Sequence, residues 1–148
     1  MAFNNNGVCF IDPDGLETVY VVTGNWAWGA KSSAGNAADV LKEKGWNVVN
    51  VTATEFRNLP ATAEINGLIL SGHGDKETSA GLSIGDVASV LKRTGAKLDV
   101  AMSLSCHGYD YVSGLNGKNL LSPTAFMCGY VFYRTEAGIR DWRISRAL

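Results

Sequence analysis

Hydrophobic residues along this chain follow two rhythms. Val19 to Val22, Trp46 to Thr52, Leu68 to Leu70, Leu98 to Ser105 and Thr124 to Tyr133 are short apolar or alternating runs, most of them rich in β-branched side chains. That is the pattern of strands. Leu68-Ile69-Leu70 is continuous rather than alternating, which suits a strand covered on both faces. Between these runs lie two stretches of helical period. Over residues 34–44, Ala34, Ala37, Val40 and Leu41 share one face, Lys42 and Lys44 occupy the last turn, and Gly45 ends the helix. In the other, Ser83 is the N-cap with Asp86 as its capping-box partner, and Ile84, Val87, Val90 and Leu91 line the apolar face before Gly95.

Strand, helix and strand alternate through the middle of the chain. The order predicts an α/β fold: a three-layer sandwich with a mostly parallel central sheet and right-handed crossovers. The remaining stretches read as irregular. Gly7 to Ile11 precedes the turn Asp12-Pro13-Asp14-Gly15 and either pairs with Val19 to Val22 as a hairpin or lies at the sheet edge. Asn25 to Ser33, with Trp26 and Trp28, reads as a loop over the edge. Residues 53–63 read as irregular with one helical turn from Glu55 to Asn58. Asp75 to Gly81 and the glycine-bearing Gly108 to Asn119 read as loops, and Arg134 to Leu148 as a turn with a short tail.

Composition narrows the class. At 148 residues and 46% hydrophobic, the chain has room for one domain, residues 1–148, with a proper core. A net charge of −1 offers no basic surface for nucleic acid or membrane. No apolar run is long enough to span a bilayer. The first residues carry neither a basic n-region nor an apolar h-region, so a cytoplasmic protein is expected, with signal-independent export left open. The three cysteines are far apart and form no CxxC pair, which argues against a disulfide framework and for a reducing compartment. Cys9 and Cys128 lie in apolar runs and read as core residues.

Two strands end in reactive side chains. Leu68-Ile69-Leu70 runs into Ser71-Gly72-His73-Gly74, and the run from Leu98 to Ser105 ends in Cys106-His107-Gly108. One loop, one helix and one strand separate His73 from Cys106, the length of a βαβ step. Adjacent parallel strands would bring imidazole and thiol to the carboxyl edge of the sheet, where open α/β sheets place their ligands. Cysteine attacks as thiolate, and a thiol of pKa ~8.5 needs a base to take its proton. Imidazole serves as that base and afterwards as the acid for a leaving amine. Backbone amides of Gly74 and Cys106 are candidate donors to the oxyanion.

The ordered pair SGHG and SCHG resembles the dyad blocks of caspase-like cysteine peptidases, most closely metacaspases; legumains, separases, gingipains and toxin autoprocessing domains share the fold. The resemblance covers about residues 18 to 132, with two specific blocks of about six residues. It implies a cysteine endopeptidase in which Cys106 is the nucleophile, His73 the general base and acid, and the amides of Gly74 and Cys106 the oxyanion hole. No cofactor or metal is implied. The implied partners are a protein or peptide substrate, and a regulatory protein or a second copy. Metacaspases carry an aspartate two residues before the cysteine as part of a pocket for arginine or lysine. Leu104 stands there in this chain, and alternation puts it on the same side as Cys106. An apolar or small residue before the scissile bond is therefore expected, with Trp26 or Trp28 as a further apolar wall. Asp75 or Asp110 reaching in would restore a basic preference. Three readings compete: His107 as the base, a metal site from His73, Cys106, His107 and Cys128, and a catalytically silent caspase-like module that binds a peptide or partner protein.

Overall fold

The structure is a computed structural model and describes residues 17–24, 30–132 and 141–146. The elements run β1 (Thr18–Thr23), α1 (Ala30–Glu43), β2 (Asn47–Val51), α2 (Ala53–Arg57) and β3 (Gly67–Ser71). A small β4 (Thr78–Ser79) and β5 (Leu82–Ser83) follow, then α3 (Ile84–Thr94), β6 (Leu98–Leu104), α4 (Gly108–Gly117), β7 (Leu121–Phe132) and β8 (Asp141–Arg146). Six of the strands form one sheet in the order β2-β1-β3-β6-β7-β8. The first five are parallel and β8 is antiparallel to β7. The early run Gly7 to Ile11, with Cys9, and the Trp26 and Trp28 segment lie outside the described residues.

Both faces of the sheet are covered, which explains the continuous apolar run of β3. Val19, Val21, Ile69 and Val100 face one way and pack with Ala34, Ala38 and Leu41 of α1. Tyr20, Val22, Leu68 and Leu70 face the other way, into a larger cluster with Phe56 of α2, Val87, Val90 and Leu91 of α3, and Tyr111, Val112 and Leu115 of α4. All five residues of β3 are buried. Each buried side chain of the valine or leucine kind contributes roughly 1.5–3 kcal/mol. A polar residue within Leu68–Leu70 would therefore destabilise the fold whichever face it met. The helix positions agree with right-handed crossovers: β1 to β2 steps one way with α1 on one face, and the later steps run the other way with α2, α3 and α4 on the opposite face.

The capped helix at Ile84–Thr94 is as the sequence pattern predicts. Ser83 Oγ accepts the Asp86 N–H at 3.0 Å, and the Asp86 carboxylate accepts the Ser83 N–H at 3.0 Å. Four stretches differ from expectation. Residues 108–117 form a helix rather than a loop, because Tyr111, Val112 and Leu115 recur at helical spacing and are buried to within 1%. Their burial outweighs the roughly 1 kcal/mol that a glycine costs a helix. Gly108 is needed where it stands, since a Cβ there would lie 2.1 Å from the Ser103 carbonyl oxygen. Residues 53–57 form a capped helix that overlaps the expected turn and starts two residues before it. The polar stretch after His73 holds the β4–β5 ribbon. The C-terminal stretch holds β8, whose pairing with β7 is a long-range choice invisible to local pattern.

Candidate functional site

His73 and Cys106 each stand two residues past a strand. Ser71, the last residue of β3, pairs with Leu104, the last of β6, and the two strands are adjacent and parallel. Imidazole and thiol thus leave the sheet at the same level on neighbouring strands. The strand order reverses on the other side of β3, at β1, with β2 on one side of β1 and β3 on the other. The carboxyl ends at such a reversal form a crevice. A cleft of about 350 Å³ opens there. Thr23 and Gly24 line it from the end of β1, Thr52, Ala53, Thr54 and Arg57 from the start and body of α2, and His73, Ala80 and Gly81 from the segment after β3.

The segment after His73 is a tight hairpin, not a free loop. Its Ala80 N–H donates to the His73 carbonyl at 2.9 Å, Gly74 bridges Ser79, and the Asp75 N–H donates to the Thr78 carbonyl at 2.8 Å. Asp75 Oδ1 accepts the N–H groups of Glu77 and Thr78 at 2.8 and 2.9 Å. Its carboxylate therefore shapes the turn, the ordinary role of aspartate in such a bend.

Three buried serines fasten this hairpin to β6. Ser79 Oγ lies 2.7 Å from Ser103 Oγ and 2.7 Å from Ser105 Oγ. The three residues are 0%, 0% and 2% exposed. Buried hydroxyls are costly unless partnered, so the cluster holds its geometry strictly. One signal for it was present in the sequence: Ser103 and Ser105 alternate along an apolar strand and so share a face. Its partner Ser79 carried no local signal.

Gly74 sits where these pieces meet. A Cβ on it would lie 2.7 Å from Ser105 Cβ and 2.7 Å from the Thr78 carbonyl oxygen. The lack of a Cβ there lets the hairpin close on the turn holding Cys106. That approach has a chemical result. The backbone amides of Gly74 and of Cys106 itself lie where they favour the Cys106 thiolate and pull its pKa down. Burial nevertheless pushes the thiol pKa up, and the two amides only partly offset it. Cys106 is thus a half-buried free thiol whose surroundings favour the protonated form.

The next residue, His107, has φ 55° and caps α4 without a side-chain bond to the helix. A non-glycine residue in this region stores backbone strain of order 1–3 kcal/mol, held here by the start of α4 against β6. Its Nδ1 lies 3.7 Å from Asp110 Oδ2, with both side chains nearly half exposed. Leu104 is 7% exposed and belongs to the cluster beneath α1. Cys128 is buried, and its thiol is pushed up to about 11 by desolvation. Trp26 lies outside the described residues. Among the described residues no three His, Cys, Asp or Glu side chains gather as metal ligands, and no helix is long and apolar enough to cross a membrane. Searches of family models, curated proteins and solved structures find nothing that matches this chain.

Proposed function

We propose that this chain is a caspase-like cysteine endopeptidase working through His73 and Cys106. The observation that carries the reading is the placement of His73 and Cys106 two residues past the paired ends of adjacent parallel strands, with the Gly74 and Cys106 amides beside the thiol. Two main-chain donors beside a nucleophile are the groups that would receive the oxyanion formed on attack.

The steps follow from these groups. His73 takes the thiol proton as sulfur attacks the scissile carbonyl carbon. The C–S bond forms, and the carbonyl electron pair moves to an oxyanion held by the two N–H groups. The imidazolium then gives its proton to the departing amine as the C–N bond breaks, leaving a thioester on Cys106. Water, deprotonated by His73, hydrolyses the thioester to a carboxylic acid and the free thiol. Because burial pushes the thiol pKa up, deprotonation accompanies attack on this reading, with His73 as a general base in the strict sense. His107 is the weaker candidate, since it lies past the strained turn and faces Asp110. Leu104 is packed in the cluster beneath α1 and acts by default: with no carboxylate two residues before the nucleophile, an apolar or small residue before the scissile bond is favoured.

The raised thiol also favours a second reading, a silent module that binds a peptide without cutting it. A peptide carrying a thiol-directed electrophile separates the two. The peptidase reading expects stoichiometric labelling of Cys106, loss of labelling in Cys106→Ala, and near-complete loss of turnover in His73→Ala, because residues acting as a unit fail together. Binding without labelling or turnover would establish the silent module instead.

A further inference from the structure

The cleft at the strand reversal is chemically unlike the surface around Cys106. Its lining is threonine, glycine and alanine with the imidazole of His73 at one side, one guanidinium, Arg57, and no carboxylate among the described residues. Small lining residues leave the cleft open, and hydroxyls with a guanidinium make it a donor-rich pocket. At about 350 Å³ it falls within the range of small ligand sites.

Arg57 is held by two contacts. Its Nη1 donates to the Gly81 carbonyl at 2.8 Å and lies 3.5 Å from Asp86 Oδ2. Both contacts go through one nitrogen of a group with five N–H donors, and the planar guanidinium receives a carboxylate in bidentate fashion. The carboxylates nearest along the chain and across it have other work. Glu55 Oε1 accepts the Thr52 N–H at 2.9 Å, and the Asp86 oxygen facing Arg57 also caps α3 through the Ser83 N–H at 3.0 Å. The half-exposed Arg57–Asp86 pair is worth little in itself. An acidic side chain entering the cleft would meet a positioned cation with donors to spare, and a basic one would meet like charge.

The position of the cleft fixes which part of a substrate reaches it. Strand β3 lies between β1 and β6, so the cleft is on the far side of His73 from Cys106. His73 must hand its proton to the leaving amine, which puts the leaving-group half of the substrate on the imidazole side of the nucleophile. We propose that this cleft is the subsite for a residue directly following the scissile bond, and that it selects glutamate or aspartate there through Arg57. The inference rests on the peptidase reading for its placement in the substrate, while the recognition of a carboxylate rests on the cleft itself.

Matched peptides test it, differing only in Glu against Gln, or Asp against Asn, in the two positions after the scissile bond. Turnover by the wild-type chain should favour the acid by roughly tenfold in kcat/KM, the scale of a charge-assisted hydrogen bond discounted for solvent. The ratio should fall with added salt. In Arg57→Gln it should drop to near one, Arg57→Lys should restore part of it, and Arg57→Glu should reverse it toward lysine. Thermal unfolding of each variant reports whether the contacts to Gly81 and Asp86 were needed for folding. In parallel, Cys106→Ala protein is titrated with the same pairs by calorimetry. Turnover without any acid preference overturns the inference and leaves the peptidase reading standing. If no peptide is cut, that reading fails. The cleft then stands on calorimetry alone: Arg57-dependent discrimination of acid from amide supports it, and equal binding of both overturns it.

Discussion

Replacing Gly74 by alanine tests the packing and the chemistry of this site at once. The added Cβ would sit 2.7 Å from Ser105 Cβ and 2.7 Å from the Thr78 carbonyl oxygen, both closer than real Cβ contacts come. Neither neighbour is a flexible side-chain tip. Thr78 O already accepts the Asp75 N–H, and Ser105 is 2% exposed and bonded to Ser79. The hairpin must therefore shift off β6. Overpacking of this kind costs about 1–3 kcal/mol. For a chain of this size that lowers Tm by roughly 2–12 °C. The same shift draws the Gly74 N–H away from the Cys106 sulfur. Loss of one oxyanion donor lowers kcat by about 10²–10³. The control is Gly35→Ala, in the body of α1, where a Cβ meets nothing within 4 Å. That change should stabilise by about 0.5–1 kcal/mol with no effect on turnover. Thermal unfolding by circular dichroism measures the first quantity and steady-state turnover of a cleaved peptide the second. A Gly74→Ala protein as stable and as active as the wild type would refute both the close approach and the role of the amide. A stable but inactive one would keep the second alone.

Other outcomes follow from the same geometry. Ser79→Ala leaves Ser103 and Ser105 without their shared partner and should cost about 1–3 kcal/mol by denaturant unfolding, whereas Ser79→Thr, which keeps the hydroxyl, should recover part of it. Alkylation of Cys106 by iodoacetamide should be slow at neutral pH and rise only in the alkaline range. A raised pKa means less thiolate at pH 7 than an ordinary cysteine holds, and a rate already high and flat between pH 6 and 8 would reveal a resting thiolate–imidazolium pair instead. Cys128→Ala should leave turnover intact apart from a packing loss, because that thiol is buried in β7. Profiling against a peptide library should show apolar or small residues before the scissile bond, and strong selection there for arginine or lysine would contradict the role given to Leu104.

Much of the frame could be read along the chain. Leu68 to Leu70 announced a strand covered on both faces, and Ser83 with Asp86 announced a helix start, because periodicity and capping act over a few neighbouring residues. The order His73, helix, Cys106 likewise implied adjacent strand ends, since a right-handed βαβ step leaves little choice. Other features were settled only by tertiary contacts. The glycines between 108 and 117 read as a loop until Tyr111, Val112 and Leu115 were buried against the sheet, and β8 exists only through its pairing with β7. Ser79 meets Ser103 and Ser105 across more than twenty residues of sequence, and Arg57 shares a cleft with His73 because the strand order reverses at β1. Thiol and imidazole were legible because each ends an apolar run. The groups that hold and surround them were not, because a hydrogen bond or a cleft between distant segments leaves no period in either one.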